Sequence, residues 1–239
     1  MRGTVLMAVV ASLLSSGPAS AASVEVMVVG KSKTLKAPSE VRFKTRTVNV
    51  GGRRCAVGAA TPLAALLALR LPLEVKDYGS CGRSARDGSG LFVRKAGPDR
   101  NRGRDGWVYK VGRKAGTAGA ADVSGPFGDG RPLRDGQRVV WFWCVLSKTD
   151  SCQRTLEVTP AVRTLRRGET LRVRVRGFDD LGRGTPVPGA IVSLGGARGT
   201  TGADGFASIV VAPQASGTVD LAAEKPGTVP AFPREMVVE

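Results

Sequence analysis

Leu171, Val173 and Val175 alternate with Arg172, Arg174 and Arg176, and this period of two recurs along most of the chain. Successive side chains of a strand point to opposite faces, so each such run predicts a half-buried β-strand. In residues 154–239, strands are predicted at 155–159, 170–176, 190–194, 206–211, 218–223 and 235–238. Glycine or proline turns separate them at roughly the 8–12-residue spacing of a β-sandwich. No helical period appears in this half.

Residues 22–153 mix strands with one helix. Val24, Val26 and Val28 alternate with Glu25, Met27 and Val29 in a first strand, and a polar connection over 31–39 contains Pro38. Val41, Phe43, Thr45 and Thr47 then alternate with Arg42, Lys44 and Arg46, which predicts one strand over 41–47 ending at Gly51-Gly52. Thr61 caps a helix with Pro62 at its first position and Leu63, Leu66, Leu67 and Leu71 on one face, and Pro72 stops it. Further strands are predicted at 75–78, 91–93, 107–111 and 138–143, with a charged loop at 97–106. A glycine- and alanine-rich excursion covers 112–130. This order suits one helix packed across a mixed sheet.

Residues 1–21 read as an export signal. Arg2 precedes an apolar run over 5–14, the run breaks at Ser15-Ser16-Gly17-Pro18, and Ala19-Ser20-Ala21 supplies small residues for cleavage after Ala21 or Ala22. No later stretch is long and apolar enough for a transmembrane anchor. The four cysteines, Cys55, Cys81, Cys144 and Cys152, allow three pairings in an exported chain. Sequential pairing, Cys55–Cys81 and Cys144–Cys152, closes two local segments. In the chain-entropy view the first bridge is worth roughly 3 kcal/mol.

The chain has no histidine, which removes imidazole bases, Ser-His and Cys-His nucleophile pairs and histidine metal ligands. Asp179-Asp180 is the one adjacent acidic pair, and with Leu181-Gly182 it reads as a turn. No catalytic constellation emerges, and no cofactor or metal site is expected. Of the net charge of +16, residues 22–153 hold most, with 24 Lys and Arg against 11 Asp and Glu; residues 154–239 hold 11 against 9. Arg42, Lys44 and Arg46 therefore form a candidate basic stripe, either a solvated face or a contact for a polyanion. An exported chain meets anionic lipids and envelope polymers first, so no nucleic-acid partner is expected.

Trp107, Tyr109, Trp141, Phe142 and Trp143 concentrate the large aromatics on two predicted strands. They read as core beneath the helix or as a ligand platform. Trp107, Tyr109 and Val111 share one face. The strand over 138–143 is apolar on both, with Val139, Trp141 and Trp143 opposite Val140 and Phe142. One face must then meet the second half, the 112–130 excursion or a ligand.

The segments GWVYKVG (106–112) and PLRDGQRVVWFW (132–143), in this order, resemble the transcobalamin-like C-terminal domain family. Gly112 stands where that family has Asn, and Gln137 where an acid is usual. The resemblance covers about residues 23–144 and implies a β-grasp-like fold, which in cobalamin carriers covers a bound corrinoid. PGAIV (188–192) with TTGADGFA (200–207) resembles bacterial immunoglobulin-like and carboxypeptidase-regulatory-like modules, and Asp204-Gly205 reads as a hairpin turn. The expected organisation is a signal over 1–21, a β-grasp-like domain over 22–153 and an immunoglobulin-like β-sandwich over 154–239. The expected function is a secreted, non-enzymatic binding or structural protein of the cell envelope whose basic first domain meets an anionic polymer or lipid surface. A small-ligand, corrinoid-like binder is the alternative.

Overall fold

The computed structural model describes residues 22–239, and the segment read as an export signal, residues 1–21, lies outside them. The described chain is mostly β, with one short α-helix and one 3-10 turn. β1 (Ser23–Val29) pairs antiparallel with β2 (Thr34–Arg42), and the chain then leaves that sheet. β3 (Arg46–Val50) and β4 (Arg53–Val57) form a separate hairpin. Its turn residues Gly51 and Gly52 have φ of +56° and +82°, which glycine adopts without strain.

Two expectations are corrected here. Residues 31–39 are not all connection, because β2 starts at Thr34 and carries Pro38; it is an edge strand, where a missing N–H is tolerated. Residues 41–47 are not one strand either. Phe43 N donates to Ala22 O, the last pairing of this strand with its neighbour among the described residues; residues 43–45 lie outside both strands, and Arg46 begins pairing with β4. The alternation continues across the break, but alternation alone does not set which neighbour a strand bonds to.

α1 (Pro62–Ala68) starts where predicted, with the Thr61 hydroxyl accepting from Ala64 N at 3.3 Å. It ends before Leu71, and Leu63 and Leu66 are its fully buried leucines. β5 (Leu73–Asp77), β6 (Leu91–Ala96) and β7 (Asp99–Arg100) make a three-stranded sheet, with the 3-10 turn Ala85–Gly90 between the first two. β8 (Gly106–Val111), β9 (Lys114–Ala115) and β10 (Arg138–Cys144) rejoin the first sheet in the order β2-β1-β10-β8-β9. β1 and β10 run parallel at its centre, an arrangement that needs a long crossover and receives one in the intervening elements.

One face of this sheet carries Val24, Val26, Val28, Trp107, Tyr109, Val139, Trp141 and Trp143 against Leu63 and Leu66 of α1. The 112–130 excursion closes the same core: Ala120 O accepts from Leu63 N at 2.8 Å, and Ala121 and Phe127 join the cluster.

The second half folds as two sheets. β11 (Thr155–Pro160), β12 (Thr164–Leu165), β13 (Thr170–Phe178) and β14 (Gly184–Pro186) are followed by β15 (Ile191–Leu194), β16 (Ala197–Thr200), β17 (Phe206–Val210), β18 (Gly217–Glu224) and β19 (Arg234–Val238). β13 is bonded to β11 on one side and to β14 and β17 on the other; the second sheet runs β12-β19-β18-β15-β16. Val158, Leu171, Val173, Val175 and Ile209 from one sheet meet Val192, Leu194, Leu221 and Met236 from the other in a single core. The Asp204-Gly205 turn forms, with Gly205 at φ +77°, but it does not close a paired hairpin. β16 bonds to β15 and β17 to β13, so the turn carries the chain from one sheet to the other.

Both disulfides have the sequential pairing, Cys55–Cys81 and Cys144–Cys152, with Cα atoms 5.3 and 5.2 Å apart. The second face of β1 and β10, with Met27, Val29, Val140, Phe142 and Cys144, packs against Val229 and Phe232 of the second half and the Cys152 loop. The second half, not the excursion, is therefore what covers the outer side of the aromatic strand. No helix among the described residues is long and apolar enough to cross a membrane.

Candidate functional site

The aromatic residues marked as possible binding groups lie in the core. Trp107, Tyr109, Trp141 and Trp143 are all buried; the polar atoms of the first three are bonded internally, and Lys31 Nζ lies 4.1 Å from the Trp143 ring centroid. Trp107 Nε1 donates to Asp99 O at 2.8 Å, Trp141 Nε1 to Pro62 O at 3.2 Å, and the Tyr109 hydroxyl to Ala118 O at 2.8 Å. Trp107 meets Trp143 edge-on at 6.0 Å. Burial pushes the Tyr109 phenol well above its ordinary pKa, with Asp122 adding to the shift. A ligand platform needs an open ring face, and these rings spend theirs on packing.

Lys110, on the opposite side of β8, has a role that sequence reading missed. Its side chain is 0% exposed, and Nζ donates to Phe178 O at 3.1 Å and Asp179 O at 3.0 Å while lying 3.2 Å from Asp180 Oδ1. Asp180 Oδ2 also accepts from Cys152 N at 2.9 Å. Burial lowers the Lys110 pKa, and Asp180 opposes that shift. The acidic pair that reads as a plain turn thus ties the two halves together. The signal in the sequence was a lysine inside an otherwise apolar-flanked strand, and only its partner in space explains it.

The candidate stripe of Arg42, Lys44 and Arg46 is not a stripe. Arg42 ends β2, Lys44 sits in the bend and Arg46 opens β3 in another sheet, because the strand predicted to align them is broken. A different set of basic residues does converge. Thr47, Ala56 and Arg54 on the β3–β4 hairpin face Gly82 and Arg83, with Arg53 at the rim, around a concavity of about 590 Å³ beside the Cys55–Cys81 bridge. The bridge and a hydrogen bond of 2.8 Å from Ala56 N to Gly82 O hold the two walls together.

Asp77 organises the rim. Its Oδ2 accepts from Cys81 N at 2.9 Å and Arg53 Nη2 at 3.2 Å, and its Oδ1 from Gly79 N at 2.9 Å. The Cys81 and Gly79 N–H groups, then Arg53, hold its carboxyl below the usual range. Arg54 and Arg83 are exposed, and among the described residues neither is paired with a carboxylate. Asp87 comes near Gly82 without lining the concavity.

The chain matches no protein-family model, no curated protein and no solved structure.

What the site can do therefore follows from its geometry. Two or three guanidinium groups, each a planar fork of donors, surround an open hollow with no acid in its lining, a fit for phosphate, sulfate or carboxylate. A larger concavity, about 980 Å³ between the halves, is lined by Arg138, Arg163 and Arg234 but also by Glu25, Glu40, Asp220 and Glu235. Its charges largely cancel, and Arg138 is already bonded to Glu25 at 2.6 Å. The signal for the arginine hollow was present in the sequence: Arg53-Arg54 precede Cys55 directly and Arg83 follows Cys81 by two residues. Pairing those cysteines brings the flanking segments together, and the tertiary structure then decides that Arg54 faces Arg83.

Proposed function

We propose that this is an extracellular, non-enzymatic binding protein whose basic first half contacts an anionic component of the cell envelope. The observation that carries the reading is the hollow beside Cys55–Cys81, where Arg54 and Arg83 stand without a carboxylate partner. Two disulfides support an oxidising location. The first-sheet order β2-β1-β10-β8-β9, with parallel central strands and a helix on one face, supports a β-grasp-like first domain. The two sheets around one core support an immunoglobulin-like β-sandwich over 154–239. Two separate cores support a domain boundary near Gln153–Arg154.

Sedimentation of the mature chain with isolated bacterial envelopes, and with vesicles containing anionic lipid, tests this reading. Binding at low salt that is reversed by added salt is expected, since exposed charges are screened beyond about 8 Å at physiological ionic strength. Arg54→Gln with Arg83→Gln should weaken it about tenfold, the cost of removing two charge-assisted contacts. Purely soluble behaviour at low salt overturns the proposal.

A further inference from the structure

A second set of arginines lies on the other half, in a more ordered arrangement than the hollow. Arg172, Arg174 and Arg176 occupy alternate positions on the outward side of β13, so they run along one face at about 7 Å intervals. The arginines are stacked on two phenylalanine rings. Arg172 and Arg174 lie 4.2 and 5.4 Å from the ring centroid of Phe206, and Arg176 lies 5.5 Å from that of Phe178. Arg113 of the first half stacks on Phe178 at 4.5 Å and extends the row across the junction.

Three like charges on one strand repel, and a sheet ordinarily offsets them with acids across the ladder. Here the register supplies few. Arg172 stands opposite Ser208, and Arg174 opposite Thr159 and Phe206. Arg176 stands opposite Glu157, but that carboxylate accepts two bonds of 2.8 Å from Arg113. The sheet therefore leaves Arg172 and Arg174 exposed and uncompensated. Contact with the rings also restrains the guanidinium groups before any ligand arrives, which lowers the entropy lost when they bind.

We propose that this arginine–phenylalanine row is a binding track for a linear polyanion, an acidic polymer whose charged groups are met by successive guanidinium groups. It extends the proposed function to a second surface and rests on that reading for the class of partner alone. Single-stranded nucleic acid is the poorer fit, because base stacking needs an open aromatic ring and Phe206 is already in contact with two arginines.

The test is affinity of the full mature chain for long-chain polyphosphate and for polygalacturonate, compared at low and moderate salt. The two probes separate phosphate from carboxylate as the source of charge. Arg172→Gln with Arg174→Gln should weaken binding of at least one probe about tenfold and flatten its salt dependence. Thr159→Glu, which sets an acid opposite Arg174 while leaving every arginine in place, should weaken it in the same direction. Unchanged affinity in both variants, with wild-type binding intact, overturns the track and leaves the hollow as the contact. Absence of any polyanion or envelope binding by the wild type overturns both readings. Tighter binding of a matched oligonucleotide than of either polymer overturns the assigned class.

Discussion

Lys110 is the residue whose environment departs furthest from what its type prefers. A lysine with no exposed surface persists because two carbonyls and Asp180 surround Nζ. Asp180→Asn removes the nearest countercharge, and urea unfolding at neutral pH should show a loss on the order of 2–3 kcal/mol. Lys110→Met, which removes the charge and keeps the stem, should stay within about 1 kcal/mol of wild type, since a buried ion pair replaced by apolar packing is often neutral.

The pH dependence has a definite sign. Burial lowers the Lys110 pKa, so at alkaline pH the unfolded chain holds a proton that the folded chain has released. Its contribution to stability then rises with pH until the unfolded lysine also deprotonates near 10.5. Tyr109 acts in the opposite sense: its raised pKa gives stability that is complete below the unfolded value of 10.0 and is lost above it. Lys110→Met should remove the rise approaching pH 10 and leave the later fall. At the acid end, the lowered carboxyl of Asp77 gives stability that is present above 3.8 and lost as pH falls through its folded value.

The excursion over 112–130 shows how a segment with little strand or helix character becomes structure. Its glycines allow close approach. A Cβ at Gly116 would lie 2.1 Å from the Tyr109 ring, a ring fixed by its own bond to Ala118 O. Gly116→Ala should therefore destabilise the chain by about 1–3 kcal/mol, the usual cost of overpacking, read as a lower thermal midpoint. Legibility differed sharply between segments. β1, β8, β10 and α1 were readable because period and capping are local signals. The strand character of 34–39 and the split in the 41–47 alternation were not legible, because which neighbour a strand pairs with is not written in its own alternation. For the same reason the candidate site was only half legible. Basic charge in the first half was evident, but the alignment of Arg42, Lys44 and Arg46 was an inference from a strand that does not exist.

The molecule as a whole is held at its junction by apolar and polar contacts together. Val140 and Phe142 face Val229 and Phe232, while Lys110–Asp180 and Arg113–Glu157 join the halves nearby. Removing residues 154–239 should leave the first half folded, with its own core intact, but uncover Met27, Val140 and Phe142. Higher binding of an apolar-surface dye and self-association in ultracentrifugation are the expected results. A monomeric fragment that binds no more dye than the full chain would show that the second half is not needed as cover.

By itself the amino-acid sequence determined the β-rich class, the helix start at Thr61-Pro62 and the inward and outward faces of β13, and it favoured the pairing of neighbouring cysteines among three possible. Each follows from interactions between residues close along the chain, where periodicity, capping and loop closure act. Only the tertiary structure decided that Lys110 meets Asp180, that Arg54 faces Arg83 across a disulfide, and that Arg113 continues the row begun on β13. Those contacts join residues far apart in sequence, and their electrostatic and stacking terms exist only once two separately formed surfaces have been brought within a few ångströms.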